Sequence, residues 1–555
     1  MDNSSIADIF NLLSKLTEIH GDNSFRSKSY SSAAYNIDQL GIRLDETDRS
    51  KIPSLKGIGD STARKIEEIL DTGRLKALDE LVSSTPPGVL EMLKVKGLGP
   101  KKIATIWKEL GIESIGELLY ACQENRLLLF KGFGAKTQQN VKESVEFMLR
   151  HKDLFLFAEC VDSAEGLERR LQERLPSRRF AVTGAYRRQS PVLSNVEWVT
   201  TATEQELKDI AREEGYAIVD GNEAGVVFRA EGLPPLAFHL CEETELTDRN
   251  FRLAAGEGFL KAWDGIGDQS PVRSETEAFG KRGIAFVPAC MREDARVLEE
   301  ARRRDVPSLV SESDVKGVIH SHSDWSDGSH PLQKMAEACR DRGLEYLVIT
   351  DHSRSAFYAG GLSIERVFEQ HAEIDVLNRT LAPFRIFKGI ESDILNDGSL
   401  DYPDEVLASF DMVIASIHSN LKMTLEKAMH RLLSAIANPY TKILGHMTGR
   451  LLLSRPGYPV DHKQIIDACA EHGVAIEINA HPRRLDIDWT WIPYAMEKGV
   501  MLSIDPDAHS IDGFGDIRYG VLAAQKGGLT ASHNLSSMSR VEFEAWLSKR
   551  KGGGA

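Results

Sequence analysis

The feature that most constrains this chain is the run His320-Ser-His322-Ser-Asp-Trp-Ser-Asp327, followed by Asp351-His352. The apolar stretches before them, Gly317-Val-Ile319 and Leu347-Val-Ile349, each read as a short buried strand of an α/β domain. Side chains two apart on a strand point the same way, so His320 and His322 can grip one cation together. Asp327 lies just past the strand end and can reach the same cleft. The second strand ends in Asp-His, at the end of the strand where α/β barrels keep their chemistry.

The pattern then repeats. Glu391 follows Phe387-Lys-Gly-Ile390, His418 follows Met412-Val-Ile-Ala-Ser-Ile417, and His446 follows Ile443-Leu-Gly445. Glu477 and Asn479 come next, then Asp507 and His509. One histidine of this kind is more often a hydrogen-bonded core or surface residue than a ligand. That reading does not cover His, Asp or Glu at the end of nearly every strand. Imidazole and carboxylate together suit zinc, manganese or iron, and this many groups imply more than one ion.

These motifs resemble the PHP (polymerase and histidinol phosphatase) family over roughly residues 311–548. The resemblance implies a distorted (β/α)7 barrel with a trinuclear phosphoesterase site holding up to three Mn²⁺ or Zn²⁺ ions. His320, His322, Glu391 and Asp507 would hold one ion. Glu391 would bridge to a second, held with His418 and His446, and Asp327, His352 and His509 would hold the third. Asp351 would orient a ligand from behind, and Arg450 and Arg484 would act on phosphate as planar bidentate donors.

A chain of 555 residues holds several domains. No apolar run is long enough to span a membrane, and the polar N-terminus does not read as a signal peptide. The six cysteines lack any Cys-x-x-Cys pairing and read as reduced core residues. The expected location is the cytoplasm, associated with the nucleoid. The net charge of −15 argues superficially against a nucleic-acid partner. However, the first 150 residues carry 21 basic and 21 acidic side chains, so all of the excess acid lies further on. A carboxylate-rich catalytic half needs no basic surface if another module holds DNA.

That module is legible as a repeat. Leu55-Lys56-Gly57-Ile-Gly59, Val95-Lys96-Gly97-Leu-Gly99 and Phe130-Lys131-Gly132-Phe-Gly134 share one pattern, each followed by a helix-like stretch; Lys101 adds charge after the second. Two glycines around an apolar anchor leave backbone N–H groups uncovered at a helix start, where they can bind a phosphate without reading sequence. A solitary copy could be only a turn; three resemble helix-hairpin-helix motifs, with the third the likeliest to be purely structural. The first 150 residues resemble the lyase and fingers regions of family X DNA polymerases. In members with lyase activity a lysine at the position of Lys65 forms a Schiff base, but Ser61 stands at a second basic position of that motif, so lyase activity stays open.

The family X resemblance implies a polymerase palm in residues 151–310. Its first motif survives as Gly184-Ala-Tyr-Arg187-Arg188, while the expected aspartate pair aligns with Asn195-Val-Glu197. The third aspartate falls in Pro234-Pro-Leu-Ala-Phe238, which has no carboxylate. An amide cannot replace a carboxylate on Mg²⁺, so two-metal nucleotidyl transfer should fail.

The expected organisation is therefore multidomain. It comprises a lyase-like helical domain with a helix-hairpin-helix (1–82), a fingers-like helix-hairpin-helix domain (83–150), a degenerate α+β palm and thumb (151–310), the α/β barrel (311–548) and a flexible tail (549–555). The expected function is metal-dependent 3′–5′ exonuclease work in DNA repair, including base excision repair. The substrate would be gapped or 3′-ended DNA bound without sequence preference, with repair proteins as possible partners and no membrane. Alternatives are a working gap-filling polymerase with PHP proofreading, for which only Glu197, Glu242 and Asp248 speak, a non-catalytic DNA-binding scaffold, and a small-molecule phosphatase.

Overall fold

The computed structural model describes residues 1–21, 24–123, 126–150, 154–221, 225–230, 233–267, 272–303, 306–453 and 456–548. The proposed tail 549–555 lies outside them. The chain divides into two compact units, Met1–Lys152 and Asp153–Ala555. Among the described residues no helix is long and apolar enough to cross a membrane.

The first unit is all helical. Its opening helix, Asn3–His20, starts where Asp2 accepts a hydrogen bond from the Ser5 N–H at 2.8 Å and ends at Gly21 in the left-handed conformation. Ile6, Phe10, Leu13 and Leu16 recur at helical spacing and are fully buried with Ile37, Ile66, Ile103 and Ile106 in one core. The three Gly-x-Gly hairpins share one geometry. The first glycine of each has a positive φ (Gly57 +80°, Gly97 +90°, Gly132 +94°), and the apolar residue between the glycines is buried as an anchor (Ile58, Leu98, Phe133). Each hairpin leads directly into a helix: Asp60–Thr72, Pro100–Lys108 and Ala135–Arg150.

The second unit begins with a five-stranded mixed sheet. Its strand order is Phe180–Thr183, Val196–Thr200, Leu236–Leu240, Gly225–Arg229 and Ala217–Gly221. Three helices, Leu246–Leu253, Glu257–Asp264 and Glu275–Lys281, follow and share a core built from Phe251, Phe259, Trp263 and Phe279.

The rest of the unit is a parallel barrel. Seven strands lie side by side in chain order: Gly317–Val318, Tyr346–Ile349, Arg385–Asp393, Met412–Ser416, Ile443–Leu444, Ala475–Asn479 and Leu502–Asp505. Nearly every strand residue is buried, as continuous Val/Ile/Leu runs covered on both faces require. Beyond the paired strands, Ser321 and Ala508 form a parallel bridge, and the His322 N–H donates to the Ala508 carbonyl at 2.9 Å. This joins the first strand to the seventh and nearly closes the barrel, and it brings the His-x-His segment against Asp507 and His509.

The palm-like sheet and the barrel are one compact unit, and an ionic knot joins them. The Lys526 ammonium, on the barrel helix Ile517–Lys526, is buried; it pairs with Glu293 and donates to the Arg188 carbonyl at 2.8 Å. Glu293 also accepts from Arg188 Nε at 3.1 Å.

Candidate metal centre

Glu391 is the hub. It sits near the end of the long third strand, 1% exposed, and its two oxygens are surrounded by imidazoles. His446 Nε2 lies 3.0 Å and His418 Nε2 3.1 Å from one oxygen; His352 Nδ1 at 3.0 Å, His320 Nε2 at 3.5 Å and His322 Nε2 at 3.7 Å approach the other. Asp507 lies 3.1 Å from His322 Nε2 and 3.5 Å from His320 Nε2. Asp327 closes the chain of contacts, 3.4 Å from His509 Nε2 and 3.6 Å from His352 Nε2. All nine side chains singled out by the strand-end pattern are thus in one connected constellation.

Among the described residues, three groups have ligand atoms within 4.8 Å of one another: His322 with Asp327, His352 and His509; His320 with His322 and Glu391; and His352 with Glu391 and His418. His322 and His352 each belong to two groups, so the division differs from the family-implied one, where each histidine serves a single ion. The donor chemistry fits cations. His320 Nε2 and Glu391 Oε2 are buried, lack any hydrogen-bond partner in the protein and face each other. An imidazole nitrogen and a carboxylate oxygen held that way in the interior are costly unless a positive charge, a bound cation or a proton on the ring, lies between them.

Electrostatics act in the same direction. Burial opposes ionisation of Glu391, but His418, His320 and His352 hold it well below the ordinary carboxylate range. Burial lowers His322 to about 3, and His509 and His352 add to this, so its imidazole is neutral and can donate a lone pair.

Behind the nine lies a set of residues that orient them. His320 Nδ1 meets Glu477 Oε1 at 2.6 Å with both side chains fully buried, so the ring presents Nε2 to the centre. His418 Nδ1 likewise meets Asp393 Oδ1 at 2.6 Å, and the other Asp393 oxygen accepts from Ser355 Oγ at 2.7 Å. Asn479 donates to Asp507 Oδ2 at 3.1 Å. Asp393 was missed from the sequence; its one signal is its place two residues beyond Glu391 on the same strand, hence on the same side.

Two expected roles change. Asp351 touches no ligating imidazole; it accepts from the Ser323 N–H (2.8 Å) and Oγ (2.7 Å), from Ser326 and from Gln370, and so shapes the turn leading to Asp327. Burial raises its pKa, and those bonds partly offset the rise. Arg450 does not face the centre either. Its guanidinium binds Asp488 at 2.6 Å and the carbonyls of Arg484 and Leu485, and so is spent on structure. Arg484 does reach the centre, with Nε 3.7 Å from Asp507 Oδ2.

In the palm-like sheet, Glu197 pairs in register with Ala237, so no carboxylate stands opposite it. It lies 2.9 Å from His239 Nε2 and packs against Gly184, where a Cβ would come within 2.0 Å of Glu197 Oε2. Asn195 precedes the strand. Arg187 binds Glu275 at 2.7 Å, and Arg188 is held in the Glu293 knot. In the helical unit, Lys65 lies 5.9 Å from the Tyr30 ring centroid. Lys56, Lys96, Lys101 and Lys131 are all exposed on or beside their hairpins, with the partly exposed Lys102 donating to the Gly97 carbonyl at 3.2 Å.

A parallel barrel with imidazoles and carboxylates converging at the C-terminal ends of its strands defines a metal-dependent phosphoesterase domain of the PHP type. Residues 319–481 match the PHP domain model; residues 1–75 match a helix-hairpin-helix domain and 89–146 a SAM-like helix-hairpin-helix tandem. The chain is 32% identical to the DNA polymerase/3′-5′ exonuclease PolX of Bacillus subtilis (strain 168), over 98% of this chain and 99% of that protein. It is 27% identical to a protein named Probable phosphatase in Thermoanaerobacter sp. (strain X514), over 43% of this chain and 99% of the relative. The chain belongs to the family X DNA polymerase/3′-5′ exonuclease (PolX) family.

Proposed function

We propose that this protein is a DNA-repair 3′–5′ exonuclease of the cytoplasm whose palm no longer polymerises. The connected buried imidazoles and carboxylates around Glu391 carry this reading. The nine side chains would hold manganese or zinc ions, up to three. Bound there, the ions supply Lewis acidity toward a phosphodiester and lower the pKa of an attacking water. The chain's own part is to fix the ligands: Glu477 and Asp393 hold His320 and His418 in one tautomer and orientation. Arg484 would take a non-bridging phosphoryl oxygen, with Asp507 keeping its guanidinium beside the centre. In the reaction, water oxygen bonds to phosphorus and the P–O3′ bond breaks. The departing 3′ oxygen takes up a proton, which leaves a shortened strand and a nucleoside 5′-monophosphate.

The helix-hairpin-helix modules supply sequence-independent DNA binding through exposed N–H groups and lysines. The inactive palm is inferred from the three expected metal-binding positions, of which only Glu197 has a carboxylate, and that carboxylate is paired with His239. A labelled primer on a gapped template, with Mn²⁺ and with or without dNTPs, tests both halves. Shortening that the H320A/H322A variant abolishes is expected. Lengthening with dNTPs would overturn the dead-palm reading, and an unchanged primer would overturn the exonuclease reading.

A further inference from the structure

Arg484, the residue that would take a phosphoryl oxygen, is barely held along its own side chain. Its Nε lies 3.7 Å from Asp507 Oδ2, and among the described residues no acceptor takes a hydrogen bond from its guanidinium. A long side chain left free in this way is aimed chiefly by its backbone. Whatever fixes that backbone therefore fixes the phosphate subsite.

The fixing group is Arg450, which comes from the loop after the neighbouring strand, four residues beyond His446. Its side chain crosses to the Arg484 turn and is only 18% exposed. Nε donates to the Arg484 carbonyl at 3.0 Å, one terminal nitrogen donates to the Leu485 carbonyl, and the other meets Asp488 Oδ2 at 2.6 Å. One planar fork thus ties three points of the turn that carries Arg484. The turn needs such a hold. Leu485 sits at φ +42°, a left-handed conformation that a leucine keeps only where its surroundings impose it.

Other bonds lace the two loops together. The Leu452 N–H donates to the Arg483 carbonyl at 2.6 Å, and Thr448 donates to Asp486 through its N–H (2.9 Å) and Oγ (2.8 Å). Of these cross-loop bonds, only that of Arg450 ends on Arg484 itself. On the outer side of the turn Arg483 meets Glu159 at 3.4 Å, but the two side chains are 54% and 43% exposed, and such a pair contributes little.

We infer that Arg450 is a positioning residue: it never meets substrate, and it holds the backbone of Arg484 so that the Arg484 guanidinium faces phosphate at the metal centre. The inference rests on the exonuclease reading and adds the group that builds its phosphate subsite.

The test uses the full-length protein loaded with Mn²⁺ and reads its affinity for inorganic phosphate by titration calorimetry, with Mn²⁺ affinity as the control. Arg484→Ala is expected to weaken phosphate binding about tenfold, and Arg450→Ala about fivefold. In the Arg484→Ala background, Arg450→Ala should change phosphate affinity by less than about twofold, because a residue that acts only through Arg484 then has nothing to act on. Glu159→Ala, at the outer pair, should leave phosphate affinity unchanged. Should Arg450→Ala not fold, Asp488→Asn keeps the shape and loosens the same fork; it should give a loss of about two- to threefold with the same dependence on Arg484. Equal losses with and without Arg484, a matching fall in Mn²⁺ affinity, or a Glu159→Ala loss as large as that of Arg450→Ala would overturn the inference. No loss in Arg450→Ala or in Arg484→Ala would do the same. The variants are also assayed on a single-stranded oligonucleotide. If phosphate follows the expected pattern and no protein, parent included, shortens the oligonucleotide, the exonuclease reading fails while the positioning of Arg484 stands.

Discussion

At the scale of single residues, the centre depends on groups that never touch a substrate. Glu477 is fully buried, bonds His320 Nδ1 at 2.6 Å and is joined to the His446 backbone N–H. Glu477→Gln keeps the shape and removes the charge that fixes the His320 tautomer. Mn²⁺ affinity measured by titration calorimetry should fall about 10- to 100-fold. Asp516, beside the start of the helix Ile517–Lys526, shows the opposite case of a carboxyl the fold does not favour in its charged form. Burial pushes it up to about 6, and its side chain caps no helix N–H. The folded chain therefore holds this proton more tightly than the unfolded chain, where the group titrates near 4. Stability falls as pH rises from about 4 to about 6, and the whole cost is present at pH 7. Asp516→Asn should raise stability at pH 7, by on the order of 1 kcal/mol once the screening of this partly exposed group is allowed for, and leave it unchanged near pH 4, as read from urea melts at the two pH values.

At the scale of elements, the three hairpins share a backbone but not a field. The helix Asp60–Thr72 after the first hairpin carries an acid in its first turn, whereas Pro100–Lys108 after the second has none and begins Pro-Lys-Lys. A positive helix end reinforced by lysines is the better phosphate site. Replacing Lys96, Lys101 and Lys102 by alanine should weaken duplex binding uniformly across sequences and lower the slope of log K against log salt by about 2 to 3. Lys131→Ala, at the third hairpin, should change the slope by less than one contact's worth. A binding titration from 50 to 200 mM salt separates the two cases.

At the scale of the whole molecule, the palm-like sheet has a structural use in the second unit whatever its chemistry. Arg188, in the surviving part of the palm motif, is held with Glu293 and the buried Lys526. Tyr519 and Leu522 of the same barrel helix pack against the sheet's core. Lys526→Met leaves Glu293 short of its ammonium partner. Since Glu293 is partly exposed, we expect a loss of about 1–3 kcal/mol and not the larger cost of a wholly buried charge, measured by urea unfolding of the full chain. An unchanged midpoint would show that the Lys526–Glu293 pair adds nothing to the join between sheet and barrel.

The sequence by itself determined the local facts. Gly-x-Gly repeats announced the hairpins, apolar runs announced the barrel strands, and a His, Asp or Glu at the end of run after run announced the centre, because each is a short-range pattern of side-chain type. Which groups meet was decided by the tertiary structure. His320 finds Glu477 157 positions away, and one carboxylate, Glu391, collects five imidazoles from other strand ends. Arg450 and Arg484 looked alike as residues following a motif, yet one is bound to Asp488 and backbone carbonyls while the other reaches Asp507. Burial partners come from barrel closure and register, and neither leaves a mark in the local order of residues.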